Sequence, residues 1–518
     1  MAIRLDKNEA IFRNELILAA DAKSVNLDNT LTNLFMLIRN NGARINMRVK
    51  REHTFQSLIE YMENLETHGN ITGLSEHKDA AEDWLRCNLV NLVFRGNIVK
   101  EKISSLRPVH LETFRIRNIA QTRDYNSSDQ VFLMLRMKPE IMESMKEYLS
   151  KGWDNVTKNI SRNQKLDVDS AGILQLIKNI QIDPKSSAQL RNVRPLLESQ
   201  ANLFCDDILR LLVYKDSIPR NVFIEYLRTL IGFHLSLYTQ KAIYLLPKMV
   251  KEGTRNVEDD FSVIADVTDN FESRVSRFAC EDMERTINGL YEFFKASFEI
   301  NAVQKRYETT MPNVDSIDQW LSILKNRPDN FDVYYENKFN IILDKFKPEE
   351  DEDKKNLLDC VMYEGNFFDK YVMTLLKAKG AYQYRYYQQF LDAISMKNSD
   401  YGFLADGRSR KHPRRAVIGS RLLETLVQIL VLESEPGGGF YSRSLSIDEL
   451  ISKLRSRYGI VINGLNESRF NDANLETHLA FKENVDAFKT KLRQIGFYTD
   501  LSDAYILQKI RPRYKFKA

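Results

Sequence analysis

Apolar positions recur along most of the chain at three- and four-residue spacing, the period that lines side chains along one face of an α-helix. Leu31, Leu34, Phe35 and Ile38 make one such face, and Phe55, Leu58, Ile59 and Met62 a second. A third segment, from Lys78 to Phe94, carries Trp84, Leu85, Leu89 and Leu92. The run Thr113-Phe114-Arg115-Ile116-Arg117 alternates instead, which predicts a short strand with its arginines on a solvated face. Pro139 falls at the first turn of a helix reaching Leu149, where a missing N–H costs nothing.

The polar stretch from Asn155 to Asp169 reads as a linker or loop. Pro195 then opens a helix to about Tyr214, with Leu196, Leu197, Leu203, Ile208, Leu211 and Leu212 as its core. Ile218-Pro219 starts the longest helical pattern, which runs to Leu246 ahead of Pro247. Being apolar on most of its circumference, it predicts the central helix of a bundle. From Phe261 to Asp269 the pattern changes to a short buried strand with polar residues at its C-terminal end. Helical runs follow from Phe271 to Phe298 and from Tyr371 to Met396. The charged run Lys347 to Lys355 reads as a solvated loop between helices.

The C-terminal part is patterned differently. Gly407-Arg408-Ser409-Arg410-Lys411-His412-Pro413-Arg414-Arg415 is a basic connector, followed by an amphipathic helix carrying Leu422, Leu423, Leu426, Ile429, Leu430 and Leu432. Pro436-Gly437-Gly438-Gly439 is a turn, and Phe440 to Leu445 a short strand. Ser446 with Glu449 three residues on makes a capping box for the next helix. A further helix, Leu479 to Ile495, turns Phe481, Val485, Phe488, Leu492 and Ile495 inward. Its other face shows Lys482, Lys489 and Arg493, interrupted by Asp486. Phe497–Leu501 and Ala504–Ile510 read as a two-stranded wing, with Lys509, Arg511, Arg513, Lys515 and Lys517 at its end. Helix, strand, helix, helix and hairpin is the order of a winged helix, although residues 459–478 form a longer connection than a helix-turn-helix uses.

The expectation is therefore a mainly α protein: a multi-helix body with a short strand or two, plus a C-terminal winged-helix (α+β) domain. Length favours three domains, drawn at 1–155 (N-terminal helical), 156–406 (central helical) and 407–518 (basic connector and winged helix).

Composition fits that picture: 43% apolar and 28% charged residues allow real cores, and 20 Gly with 12 Pro in 518 residues are too few for an all-β fold. The overall charge of +4 says little, but its distribution is uneven. Residues 407–518 carry 20 Lys and Arg against 12 Asp and Glu, whereas the rest carries 55 against 59. A concentrated excess of cations favours an anionic partner through counterion release, and duplex DNA is the expected one. Cys87, Cys205, Cys280 and Cys360 show no zinc or redox spacing and read as buried free thiols in a reducing compartment. The first residues lack an apolar signal core. The longest apolar stretch, Val222 to Leu246, is broken by Glu225, Arg228, His234 and Lys241, so no membrane partner is expected and the location is cytoplasmic.

Catalytic chemistry finds little footing. The seven histidines form no metal-binding pair, and His234 reads as a core histidine. The glycine run lacks the Lys-Ser/Thr of a phosphate loop. Asp259, Asp260, Asp266 and Asp269, around the expected strand, are the one constellation with the character of a divalent-metal nuclease site. No catalytic residue, metal ligand or cofactor is assigned.

Two stretches carry a family resemblance: Ile218 to Leu227, and Gly407 through Val427 with Arg414-Arg415 and Ser420-Arg421-Leu422-Leu423-Glu424-Thr425-Leu426-Val427. They resemble large helical accessory proteins of bacterial multi-gene anti-phage systems, such as the methylation-associated defence systems. The resemblance implies a non-catalytic subunit working beside a methyltransferase, kinase or ATPase. The expected function is thus a DNA-binding scaffold or sensor subunit. Arg408, Arg410, Lys411, Arg414, Arg415, Lys482, Lys489, Arg493, Lys509, Arg511 and Arg513 are its candidate phosphate contacts. The alternatives are a nuclease built near Asp266 and an adaptor whose winged helix binds protein.

Overall fold

The computed structural model describes residues 3–45, 53–93, 98–161, 166–178, 188–406, 413–498 and 509–516. Helices dominate, and the strands are two to four residues long. The chain divides into two compact units: residues 25–192 with 204–231, and residues 1–24 and 193–203 with 232–518.

In the first of these units, Leu27–Arg39 packs its apolar face inward, with Leu31, Leu34, Phe35 and Ile38 all buried. Asn26 caps it by accepting from the Asp28 N–H. Thr54 and Ser57 form a capping box on Phe55–Thr67, and Pro139 opens Pro139–Leu149 as expected. The third helix is cut short: Lys78–Trp84 passes through a π-turn into a strand, Val90–Leu92, paired antiparallel with Ile103–Leu106; Phe94 lies outside the described residues. No strand forms over 113–117. Leu111–Arg115 is a 3-10 turn, because its polar side chains are drawn inward rather than alternating. Glu112, fully buried, is held between Arg39 at 2.6 Å and Arg115 at 2.5 Å. Arg117 is buried as well and hydrogen-bonds to the Asn33 amide oxygen at 2.5 Å. The stretch 155–169 is part structured, with a small hairpin of Trp153–Asp154 and Asn159–Ile160 and a helix starting at Val168.

The longest helix, Arg220–Glu252, contributes to both units and does not stop before Pro247. Proline in a helix costs about 3 kcal/mol. Here residues on both sides of it, Leu245, Leu246 and Met249, are buried, and their burial outweighs that cost. His234 is a core histidine, 3.0 Å from the Gln200 amide.

In the second unit the run 271–298 is two helices, Arg274–Asn288 and Leu290–Tyr307, meeting at Gly289. The charged run 347–355 is not a loop. Pro348–Glu350 leads into the helix Asp351–Val361, whose first turn carries Asp351, Glu352 and Asp353 where the helix dipole favours anions. The tyrosine-rich helix spans Phe367–Ile394.

The buried strand expected near 261–269 forms at Val263–Ile264 and organises its surroundings. It pairs in parallel with Ile460–Val461, and Asp266 bridges in parallel to Val417, next to Arg415–Ala416. That last strand pairs antiparallel with Leu404–Ala405. Ser420–Leu430 and Ile447–Tyr458 flank a hairpin of Leu432–Ser434 and Phe440–Ser442 around the glycine turn. The capping box is as read, with Ser446 accepting from the Glu449 N–H and Glu449 from the Ser446 N–H. Two 3-10 turns then lead to Leu475–Gln494. Of the expected wing, residues 499–508 lie outside the described residues; Ile510 bridges back to Leu445.

Candidate nucleic-acid interface

The candidate surface centres on the helix Leu475–Gln494. Asn474 caps it by accepting from the Thr477 N–H. Ala480, Phe481, Phe488 and Leu492 are buried, and Phe481 meets the ring of Phe278 at 5.8 Å and that of Phe470 at 5.0 Å. Val485 and Ile495 are half-buried. The opposite face carries Lys482, Asp486, Lys489 and Arg493 at 4-3-4 spacing. Lys482 and Arg493 are exposed; Lys489 is half-buried and 3.3 Å from Asp486. Leu475 and Leu479 extend this face toward the helix start and are 73% and 55% exposed.

The C-terminal segment 509–516 is fastened to the end of that helix. The Arg511 N–H donates to the Phe497 carbonyl at 3.1 Å, and Arg513 donates to the Ile495 carbonyl at 2.5 Å. The Arg513 guanidinium also pairs with Glu424 and lies 4.3 Å over the Phe497 ring. Lys509, Arg511 and Lys515 remain exposed, and Lys517 is outside the described residues. Two separate elements thus bring exposed cations to one end of the helix.

The connector arginines behave otherwise. Arg408, Arg410 and Lys411 are outside the described residues. Arg414 grips Asp392 with two hydrogen bonds, 2.7 and 2.9 Å, and that carboxylate holds its pKa above the ordinary guanidinium value. Arg415 is buried, 2.8 Å from the equally buried Asp266 carboxylate and 3.6 Å from Asp269, with the Phe271 ring 4.1 Å away.

Residues 7–514 match the family model of the methylation-associated defense system protein MAD7. The chain belongs to this family. The MAD7 match takes in nearly all of both units, so the resemblance seen at residues 218–227 and 407–427 extends far beyond them. No curated protein matches the chain.

In this MAD7-family chain the four acids of the nuclease reading are dispersed. Asp259 pairs with Lys241 at 2.8 Å, and Asp260 with Lys248 at 2.8 Å and the Tyr244 hydroxyl at 3.0 Å. Asp266 is spent on Arg415, and the Asp269 side chain is 89% exposed. Among the described residues no group of three or more His, Cys, Asp or Glu could hold a metal ion. Nor is any helix among them long and apolar enough to cross a membrane. The cysteines are free; Cys205 is buried as expected, but Cys87 and Cys360 are exposed.

Two residues escaped the sequence reading. Asn484, fully buried, accepts from the Val267 N–H at 2.9 Å and donates to the Ala265 and Ile462 carbonyls at 3.0 and 2.8 Å. A polar residue on the helix's apolar side was its only signal. Lys491 is partly withdrawn from solvent: burial lowers its pKa, against the opposing pull of Asp269, Asp266 and Asp400.

Proposed function

We propose that the chain is a non-catalytic, DNA-binding scaffold or sensor subunit of a multi-gene defence system, acting in the cytoplasm beside a methyltransferase, kinase or ATPase. Family membership supports the defence role and the presence of other subunits. The observation that carries the DNA-binding half is the fastening of segment 509–516 to the end of Leu475–Gln494, which brings exposed Lys509, Arg511 and Lys515 to the end that bears Arg493, with Lys482 exposed further along the same helix face. Phosphate contacts draw on cations of this kind. The helices 420–430, 447–458 and 475–494, with the bridge from Leu445 to Ile510, support a winged-helix-type module as their carrier.

The test is binding of the full chain to duplex DNA across a range of salt. Log affinity should fall with log salt at roughly 0.9 per phosphate contacted. Changing Lys482, Arg493, Lys509, Arg511 and Lys515 together to Gln should flatten that slope, whereas Arg414→Gln should not. Salt-independent or absent retention on DNA overturns the reading.

One observation favours the adaptor alternative. Leu475 and Leu479 stand exposed at i, i+4 on the same helix face as Lys482, an apolar stripe suited to a protein surface. On that reading the five-fold Gln variant binds DNA no differently from the parent chain.

A further inference from the structure

The unit formed by residues 25–192 and 204–231 contains a cavity of about 290 Å³, at the lower edge of the size of small-ligand sites. Its wall carries five charged side chains: Asp28, Arg107, Asp169, Glu225 and Arg228. Four of them are matched. Arg228 lies 3.4 Å from both Asp28 and Glu225. Asp169 accepts from the Trp84 indole N–H at 2.7 Å and from the Asn88 amide at 3.3 Å.

Arg107 is the exception. Its half-buried guanidinium has no hydrogen bond or ion pair among the described residues, and its Nε is sealed from solvent without an acceptor. Its terminal amino groups, which no protein acceptor occupies, are therefore the donors this wall leaves for a ligand. Since every carboxylate of the wall already has a partner, the unmet demand of the cavity is for an oxygen acceptor from outside.

We propose that this cavity binds a small polar molecule through one oxyanion, a carboxylate or a phosphate ester, received by the Arg107 fork. The planar guanidinium matches two oxygens of either group. The three wall carboxylates make a second negative charge on the ligand unfavourable, which selects for a monoanion. Asn221, on the same wall, offers an amide to the uncharged part of the ligand. This site is independent of the C-terminal cations.

Cys87 provides a reporter, because its exposed thiol lines the same cavity while Cys360 does not. The full chain is titrated separately with acetate and with dimethyl phosphate, both monoanions at neutral pH. Binding is followed by calorimetry and by the rate of Cys87 alkylation read by mass spectrometry. Saturable binding of at least one probe is expected, with Cys87 alkylation slowed severalfold and Cys360 unaffected. Which probe binds separates a carboxylate source from a phosphate one. Arg107→Gln should weaken that binding tenfold or more. Arg107→Lys, which keeps the charge but loses the fork, should weaken it less, and it serves if the Gln variant does not fold. No saturable binding of any probe, or unchanged affinity in the folded Arg107 variants, overturns the proposal.

Discussion

The Arg415 guanidinium and the Asp266 carboxylate lie 2.8 Å apart, and both side chains are essentially removed from solvent. In the sequence Arg415 is a candidate phosphate contact, and Asp266 belongs to the acidic constellation of the nuclease alternative. They are ion-pair partners instead. Asp266 completes its shell with the Thr268 N–H at 2.9 Å and the Thr268 hydroxyl at 2.7 Å. The pair fixes the strand 415–416 against residue 266, so its role is to join segments far apart in the chain.

Removing one partner of such a buried pair strands the other. Asp266→Asn is therefore expected to cost about 3–5 kcal/mol of stability, visible as a lowered urea midpoint. The double change Asp266→Leu with Arg415→Met should recover most of that loss. Equal stability of Asp266→Asn and the parent chain would mean the pair carries no structural weight.

Acid should act on the first unit through His110. Its Nδ1 accepts from the Glu112 N–H at 3.1 Å, and burial, with Arg220 nearby, pushes the imidazole down to about 4. The folded pKa lies below the unfolded value near 6.5. Its contribution is thus complete above that value and is lost as pH falls toward 4, at up to about 1.4 kcal/mol per pH unit. Urea titrations from pH 7 to 4.5 should show a shallower pH dependence for His110→Gln than for the parent chain.

Glu299, in the other unit, should respond with the opposite sign. Burial raises its carboxyl to about 7, with Lys295 pulling the other way. A folded pKa above the unfolded one gives a contribution fully present below about pH 4.5 and lost as pH rises through 7. Glu299→Gln should therefore raise the melting temperature at pH 8 and change it little at pH 5. A gain of the same size at both values would remove the carboxyl's charge as the cause.

What could be read in advance was local. The Ser446–Glu449 capping box, Pro139 at a helix start and the inward face of Phe481, Phe488 and Leu492 depend on neighbours within a few residues, and all three stand as expected. Asp351, Glu352 and Asp353 were also local, but their charge was read as solvation when it equally suits a helix N-terminus. The partner of Arg415 is 149 residues away and that of Ile460 nearly 200, and no periodicity reports such pairings. The candidate cations were legible as types. Their pairing was not, so Arg414 and Arg415 could not be told from Lys482 and Arg511.

Asn484 offers the sharpest test of how the C-terminal helix is held. Its side chain makes three hydrogen bonds to main-chain groups of two segments, residues 265–267 and 462, from a fully buried position. Asn484→Ala removes all three and leaves the Val267 N–H facing apolar surroundings, a loss of about 2–4 kcal/mol. Asn484→Asp keeps the acceptor for Val267 but loses both donors and buries a charge, so it should be worse than Ala although it is closer in shape. Amide exchange supplies the local reading: protection should fall first at residues 263–267 and along 475–494, ahead of global unfolding. An Asp variant more stable than Ala would mean that the acceptor alone holds the helix, with the two carbonyls satisfied elsewhere.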